Sequence, residues 1–406
     1  MARAIVKPAL LSLEEAQARL LSLAEPLPLE RVDIDGALGR YLASPLQARR
    51  TQPAQALSAM DGYAVTAENL SGPWQVTGES AAGHPYAGNI APHEAVRIAT
   101  GAVLPAGADA VIVQEDLSRE GDQLLLTGEG PSPPGKHIRP TGMDFTAGTP
   151  LLAAGTLLGP AQLALAVAGG HKHLPVRRKP GLVIIDSGDE LAPDCENCPP
   201  HQIPASNGPM LVAMAKSLPC DVRRVGPVQD DLDALIATFE QAHDADVIVT
   251  SGGASVGDHD LVRPALEEWG ATIDFWRVAI KPGKPLLVAR RDHQLIIGLP
   301  GNPVSSHVTA FLFLLPLLRA MLGAANPFPR SIRATLTAPL AQGGARREFL
   351  RAQWDGAGIA PLALQDSGAL SALAAANALI DRAVETAVQP AGTEVRAYLL
   401  QNGGIA

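Results

Sequence analysis

Cysteine is scarce in this chain: Cys195, Cys198 and Cys220 are the three present among 406 residues. That number is too small, and odd, for a disulfide framework, so a reducing compartment is expected and the cytoplasm is the default. Aromatic residues make up only 4%, while hydrophobic residues as a whole reach 47%. A globular protein packed on Ala, Leu and Val fits those figures, and a disordered chain does not. Charged residues are also few, at 18%, and their balance is -9. Nothing in that balance attracts a phosphate backbone, and no local basic patch offsets it, so nucleic acid is not an expected partner. A small polyanion stays admissible where a metal ion or a few Lys and Arg meet it. Long apolar runs are lacking too. The longest, AFLFLLPLL at 310–318, carries Pro316 and falls well short of the ~20 residues that cross a bilayer, so it reads as core helix. MARAIVKPAL at the start has no apolar core of a secretory signal, and no membrane partner is expected.

What the chain has in quantity is Gly (39) and Pro (35), which punctuate short elements. The length suits two to four domains. SLEEAQARL opens with Ser12 and Glu15 at capping-box spacing, predicting a helix. Residues 51–140 break into short β-like runs such as YAVT, AVRIAT and AVIVQED, and AGTLLGPAQLALAVAGG at 154–170 predicts a helix closed by paired glycines. From 179 onward apolar strands alternate with amphipathic helices, ending in a long helix from Pro303 to Leu322. That alternation predicts a parallel, doubly wound sheet, whose ligands bind at the carboxyl ends of its strands. Short strands return after NPFPR. The expected fold class is α/β plus β, multidomain. Residues 1–50 with 141–178 form an elongated segment, 51–140 a β-rich insert, 179–325 the α/β domain and 326–406 a terminal β domain.

Turn-rich loops fall at the predicted strand ends. IIDSGDEL at 184–191 offers Asp186, Asp189 and Glu190, and VTSGGASVGDHD at 249–260 offers Ser251, Gly252, Gly253 and Asp260. Glycines let backbone amides approach an anion. Acids beside a phosphate need a hard cation between, for which Mg2+ is the usual choice. The glycines would thus cradle phosphate while Asp260 helps hold metal; the competing reading is that Asp258 or Asp260 caps the next helix. KPGKP places Lys281 and Lys284 in one stiff turn suited to an oxyanion, or simply a charged surface turn, and it is not a Walker A loop. GLPGNPVSS puts Ser305 and Ser306 at a helix start, and Asp-Gly in SAMDGYAV reads locally as a hairpin. IRPTGMDF brings Arg139 and Asp144 together around Gly142. CENCPPH supplies Cys195, Cys198 and His201, one ligand short of a zinc site, and reads as a surface insert.

SAMDGYAV, RIATGAVLPAGADAVI, IRPTGMDF, DSGDEL, SNGPML, TSGGASVGDHD, KPGKP, GLPGNPVSS and RREFLRA, in this order and spacing, resemble the MoeA and gephyrin type, the molybdopterin molybdenumtransferases. The resemblance runs from about residue 10 to the C-terminus. It implies an elongated N-terminal segment, a β-rich insert, a MogA-like α/β domain and a C-terminal β-barrel, assembled as a homodimer with a cleft between the α/β domain of one subunit and the insert of the other. The implied reaction puts molybdenum from molybdate into adenylylated molybdopterin, with Mg2+, adenylate hydrolysis and AMP release. A molybdopterin adenylyltransferase is a further implied partner.

On matching positions, the resemblance makes Glu190 and Asp260 the metal-side acids, with Asp186 near them. Asp61, Thr100 and Asp144 come from the partner's insert. Lys281, Lys284, Ser305, Arg347 and Ser371 surround molybdate or the terminal phosphate, and Asp230 or Asp231 lies at an acidic position. Met143 and Ser187 depart from the family pattern, as do the CENCPPH insert and LSALAAANALIDRA. The alternatives are an adenylyltransferase or related nucleotide-cleaving enzyme, and a non-catalytic scaffold. Both fit less well, because the first needs none of SAMDGYAV, IRPTGMDF or the barrel, and the second carries an extra fused domain and linker.

Overall fold

The computed structural model describes residues 10–252 and 261–400, without the side chains of Phe275 and Trp276. Helix α1 (Leu13–Leu23) starts where the sequence places it. Ser12 Oγ accepts the Glu15 amide at 3.2 Å, and Glu15 Oε2 accepts the Ser12 amide at 2.9 Å, closing the capping box. Its buried face, Leu13, Ala16 and Leu20, packs into the same core as Phe311 and Leu315 of the α/β domain. The first helix is thus bound to a partner some three hundred residues away in sequence. Strands β1 (Leu29–Asp33) and β2 (Leu46–Gln47) follow and await returning strands.

The β-rich part comprises β3 (Leu57–Ser58), β4 (Gly62–Val65), β5 (Trp74–Ser80), β6 (Glu94–Ile98), β7 (Ala110–Val113), β8 (Leu117–Glu120), β9 (Gln123–Leu126) and β10 (Ile138–Arg139). Six of these form one sheet in the order β7-β4-β6-β5-β9-β8, while β3 pairs with β10. Asp61-Gly62 therefore turns a corner between two sheets, where local residue chemistry alone had suggested a hairpin. The reason is steric: a Cβ on Gly62 would lie 2.0 Å from the Ile112 carbonyl oxygen, so the β4–β7 contact excludes any side chain there. The chain returns through β11 (Pro150–Leu152), α2 (Pro160–Ala168) and β12 (His173–Arg177). These pair β11 with β2 and β12 with β1. Gly169 caps α2 and Gly170 follows at φ 90°, the paired-glycine stop that the sequence predicts.

The α/β part contains β13 (Gly181–Ser187), β14 (Leu191–Ala192), β15 (Ile203–Pro204), α3 (Asn207–Ala215), β16 (Asp221–Val228), α4 (Leu232–Gln241), β17 (Val247–Ser251) and α5 (Val262–Glu268). It continues through β18 (Thr272–Arg277), β19 (Ile280–Lys281), β20 (Pro285–Arg291), β21 (Gln294–Leu299), α6 (Pro303–Thr309) and α7 (Leu315–Met321). Its six-stranded sheet has the order β16-β13-β17-β21-β20-β18. The expected all-parallel sheet is corrected to a mixed one, because β20 runs antiparallel to both β21 and β18. Arg291 pairs with Gln294 across a two-residue turn in which Asp292 has φ 51°, and only antiparallel neighbours can be joined so tightly. The chain leaves β13 toward β16 on one side and later fills the other side from β17. The crevice between the ends of β13 and β17 is the topological switch point, where ligands of such sheets bind.

Helices α6 and α7 are continuous through a π segment, Ala310–Leu314. The whole stretch Pro303–Met321 is long and apolar enough to cross a bilayer, but 89% of its apolar window is buried in this fold. It is a core helix. The last part holds β22 (Ser331–Leu336), β23 (Arg347–Trp354), β24 (Gly358–Pro361), α8 (Leu370–Ala375), β25 (Ala378–Arg382) and β26 (Glu394–Leu399). The order β23-β24-β22-β26-β25 closes through a β23–β25 pairing into a five-stranded barrel, and β19 of the α/β part adds to its β23 edge.

Candidate active site

Three loops meet at the switch point. Gly252, just past β17, has φ 101°, and a Cβ on it would lie 2.5 Å from the Ser187 carbonyl oxygen at the end of β13. A Cβ on Gly301, past β21, would lie 3.7 Å from the Gly252 Cα. The Asn207 side chain, in the first turn of α3, ties these loops together by donating to Ser251 Oγ at 2.9 Å and to the Gly301 carbonyl at 2.7 Å. Asp186, Ser187, Ser251, Gly252 and Gly301 are thus brought to one crevice, and at Gly252 the approach is one that glycine alone permits. The elements around it carry buried polar atoms that make no hydrogen bond among the described residues: Asp186 Oδ1, Ser187 Oγ, Asn207 Oδ1, Thr250 Oγ1 and Ser306 Oγ. Such atoms are costly unless something polar meets them.

Asp186 is fully buried. Burial pushes its carboxyl above the usual range, while the Arg224 guanidinium, 2.8 Å from Oδ2, and the Gly208 amide pull the other way. Gly208 is required here, since its Cβ would fall 2.0 Å from Asp186 Oδ2 and 2.3 Å from Arg224 Nε. Glu190 is exposed, and its carboxylate folds over Gly188, whose Cβ would lie 2.4 Å from Oε2. Asp189 and Asp230 accept each other's amides, the Asp230 amide to Asp189 Oδ1 at 3.1 Å and the Asp189 amide to Asp230 Oδ2 at 3.4 Å. Asp231 instead caps α4 by accepting the Ala234 amide. Between the two acids, Asp230 is the one beside the DSGDEL loop. Gly253, Asp258, His259 and Asp260 lie outside the described residues.

The lysine turn is joined to the barrel. In the β19–β23 ladder, Ile280 pairs with Arg347 and Lys281 with Glu348. Lys281 Nζ lies 3.1 Å from Glu348 Oε1. Burial would raise the Glu348 carboxyl, but Lys281 and Arg382 hold it below the usual range. Lys284 is exposed and forms no ion pair among the described residues. Arg347 is heavily engaged: Asp381 takes its guanidinium at 2.6 Å through both oxygens, Glu14 adds a further contact, and these carboxylates raise its pKa.

Ser305 is buried in the first turn of α6. Ser371 sits on the exposed side of α8. A residue of the last part that hydrogen-bonds at the start of this helix is Ser367, which residue-type reasoning missed. Its Oγ accepts the Asn302 side-chain amide at 3.0 Å, and its carbonyl accepts the Val304 amide at 3.0 Å. Buried Arg351 fixes that loop by donating to the Leu364 and Asp366 carbonyls. Asn207, Gly208 and Arg224 were missed as well, although N-G-P ahead of an apolar run was a signal for the first two.

In the β-rich part, Asp61 Oδ1 accepts the Thr100 amide at 2.6 Å, and the bonds from Thr100 hold the Asp61 carboxyl below the usual range. Asp144, with Gln52, Pro53, Leu57, Arg139 and Met143, lines a cavity of about 280 Å³. Asp61, Thr100 and Asp144 make no hydrogen bond or ion pair with the α/β loops among the described residues.

Loops that meet at a switch point, beside buried polar atoms without partners and with a barrel fused behind them, define a multidomain protein with an α/β ligand-binding domain. Known proteins agree. The family descriptions "MoeA N-terminal region (domain I and II)", "Probable molybdopterin binding domain" and "MoeA C-terminal region (domain IV)" match residues 11–170, 183–320 and 333–400. Molybdopterin molybdenumtransferase 2 of Mycobacterium tuberculosis is 34% identical, covering 94% of this chain and 96% of its own. The molybdopterin molybdenumtransferase of Synechococcus elongatus is 36% identical over 81% of this chain and 83% of its own. A crystal structure of the molybdopterin biosynthesis MoeA protein of Pyrococcus horikoshii, 31% identical, covers 96% of this chain and 99% of its own with a TM-score of 0.80. The chain belongs to the molybdopterin molybdenumtransferase family, enzymes of molybdenum cofactor biosynthesis.

Proposed function

We propose that this enzyme transfers molybdenum from molybdate to adenylylated molybdopterin, hydrolysing the adenylate and releasing AMP, as a Mg2+-dependent cytoplasmic homodimer. The observation that carries the reading is the convergence of the β13, β17 and β21 loops with the Asn207 amide at one crevice edged by unpaired buried polar atoms. A phosphoanhydride brings the acceptors and charge that such a place needs.

Molybdate is a tetrahedral dianion, so leaving water requires fixed donors and cations. Lys284, Lys281, Ser305 and Ser367 support that role. Lys281 is positioned by Glu348, and Arg347 by Asp381 and Glu14, so both reach the substrate as held groups rather than mobile ones. Asp186, buried beside Arg224, fixes the floor of the crevice.

Glu190 and Asp260 would hold Mg2+. Mg2+ takes one or two carboxylates beside water and substrate phosphate, which is what this pair of acids would supply. When bound, Mg2+ supplies charge neutralisation at the phosphoanhydride. In the homodimer, Asp61, Thr100 and Asp144 of one subunit face the α/β crevice of the other, and Asp230 completes its acidic rim. The segment boundaries proposed are 1–50 with 141–178, 51–140, 179–325 and 326–406. A molybdopterin adenylyltransferase would deliver the adenylylated substrate by direct contact.

The test is to incubate the purified protein with adenylylated molybdopterin, Mg2+ and molybdate, then follow AMP and metal-loaded pterin. Both should form together, and neither without molybdate. AMP release that ignores molybdate would instead indicate a nucleotide-cleaving enzyme, and binding without turnover a scaffold.

A further inference from the structure

The sequence P-D-C-E-N-C-P-P places two cysteines between prolines in the loop joining β14 to β15. This loop borders the crevice. Ile203 donates its amide to the Glu190 carbonyl at 2.8 Å, and the Gln202 side chain donates to the Asp189 carbonyl at 2.9 Å. The chain bends at each of residues 195, 196 and 197. Asp194 clamps the bend, its Oδ1 accepting the Glu196 amide at 2.9 Å and its Oδ2 the Asn197 side chain at 2.5 Å. Cys195 is exposed and Cys198 half-buried, both as free thiols. His201 does not join the two cysteines in a group of three metal-ligating side chains among the described residues. With two residues between them on a bent segment, the cysteine Cα atoms can approach the roughly 4.4–6.8 Å that a disulfide requires.

We propose that Cys195 and Cys198 are a reversible dithiol–disulfide pair that stiffens the loop behind Glu190 when a low-molecular-weight disulfide oxidises it. The exposed Cys195 thiolate attacks one sulfur of the oxidant and expels the first small thiolate. The Cys198 thiolate then attacks Cys195 Sγ and expels the second. Two protein thiols become one S–S bond, and the oxidant's S–S bond becomes two thiols. Cys220 stands apart, since burial pushes its thiol up to about 12.

The experiment uses the full chain and oxidised glutathione. Thiol titration of the native protein should lose the two accessible groups together, and the intact mass should fall by two hydrogen atoms with no glutathione retained. Dithiothreitol should reverse both changes. Amide exchange across 189–203 should slow several-fold in the oxidised form. In Cys198→Ser, glutathione should stay on Cys195, which shows the order of attack. Glutathione retained on the wild-type chain, chains cross-linked to each other, surviving thiols, or unchanged exchange across 189–203 would each overturn the proposal.

Discussion

At Gly208, the absence of a single Cβ allows the buried Asp186 carboxylate to meet the guanidinium of the more exposed Arg224. Alanine there would gain helix propensity of roughly 1 kcal/mol, yet its methyl would occupy the space shared by Asp186 Oδ2 and Arg224 Nε. Gly208→Ala should therefore lose about 2 kcal/mol of stability in urea unfolding, despite the better helix former. Arg224 can be tested through pH. The native Asp186 carboxyl sits above its unfolded value, so the folded state holds that proton more tightly, and its contribution is largest in acid and shrinks as pH rises through the native value. Arg224→Met removes a group that pulls the carboxyl down, so stability should fall more steeply with rising pH than in the parent. Parallel pH profiles in the two proteins would contradict this. Residue types and turn spacing predicted Asp186, Glu190 and Gly252 at or just past strand ends, and there they lie. The arginine was not legible, because nothing local marks which of two adjacent arginines on β16 turns toward β13.

At the scale of the element, Pro316 is instructive. The apolar run predicted a buried helix, and that is found. The break in it was invisible, because a π segment keeps the same apolar residues facing the core. Pro316 has no N–H to offer the Leu312 carbonyl four residues back. Gln17 of α1 supplies the missing donor, its side chain reaching that carbonyl at 2.8 Å. Gln17→Ala should cost about 1–2 kcal/mol by leaving the carbonyl short of a partner. In a Pro316→Ala background the cost should shrink, because the backbone then donates; a double-mutant cycle measured by denaturant unfolding gives the coupling. The β20–β21 hairpin, by contrast, could have been read from RDHQ between two apolar strands. The alternation of strands and helices upstream favoured the parallel reading over that local turn.

For the whole molecule, the order of parts was legible because each part has its own hydrophobic period and the loops keep the order of the family. Two things were not. Helix α1 packs on the α/β core through contacts hundreds of residues apart, and Ser367, four residues before the serine the motif suggested, hydrogen-bonds at the start of α6. The proposed function also calls for a cleft made by two chains. Light scattering should give twice the chain mass. Co-expression of an Asp61→Asn chain with a Glu190→Gln chain should recover a substantial fraction of the activity that each variant lacks alone, because one mixed cleft then contains only unaltered groups. No recovery in isolated mixed dimers would place both residues in the same chain's site.

The short ladder between Ile280–Lys281 and Arg347–Glu348 has a consequence for how such an enzyme can be divided. Cutting after residue 326 would spare the glycine-lined pouch but remove the template against which the lysine turn is laid. What remained could still grip a phosphate, while the cations meant for a second oxyanion would drift out of register. On the proposed function the barrel is the far bank of the active site, and grafting a different one should retune the oxyanion side while leaving the nucleotide side as it was.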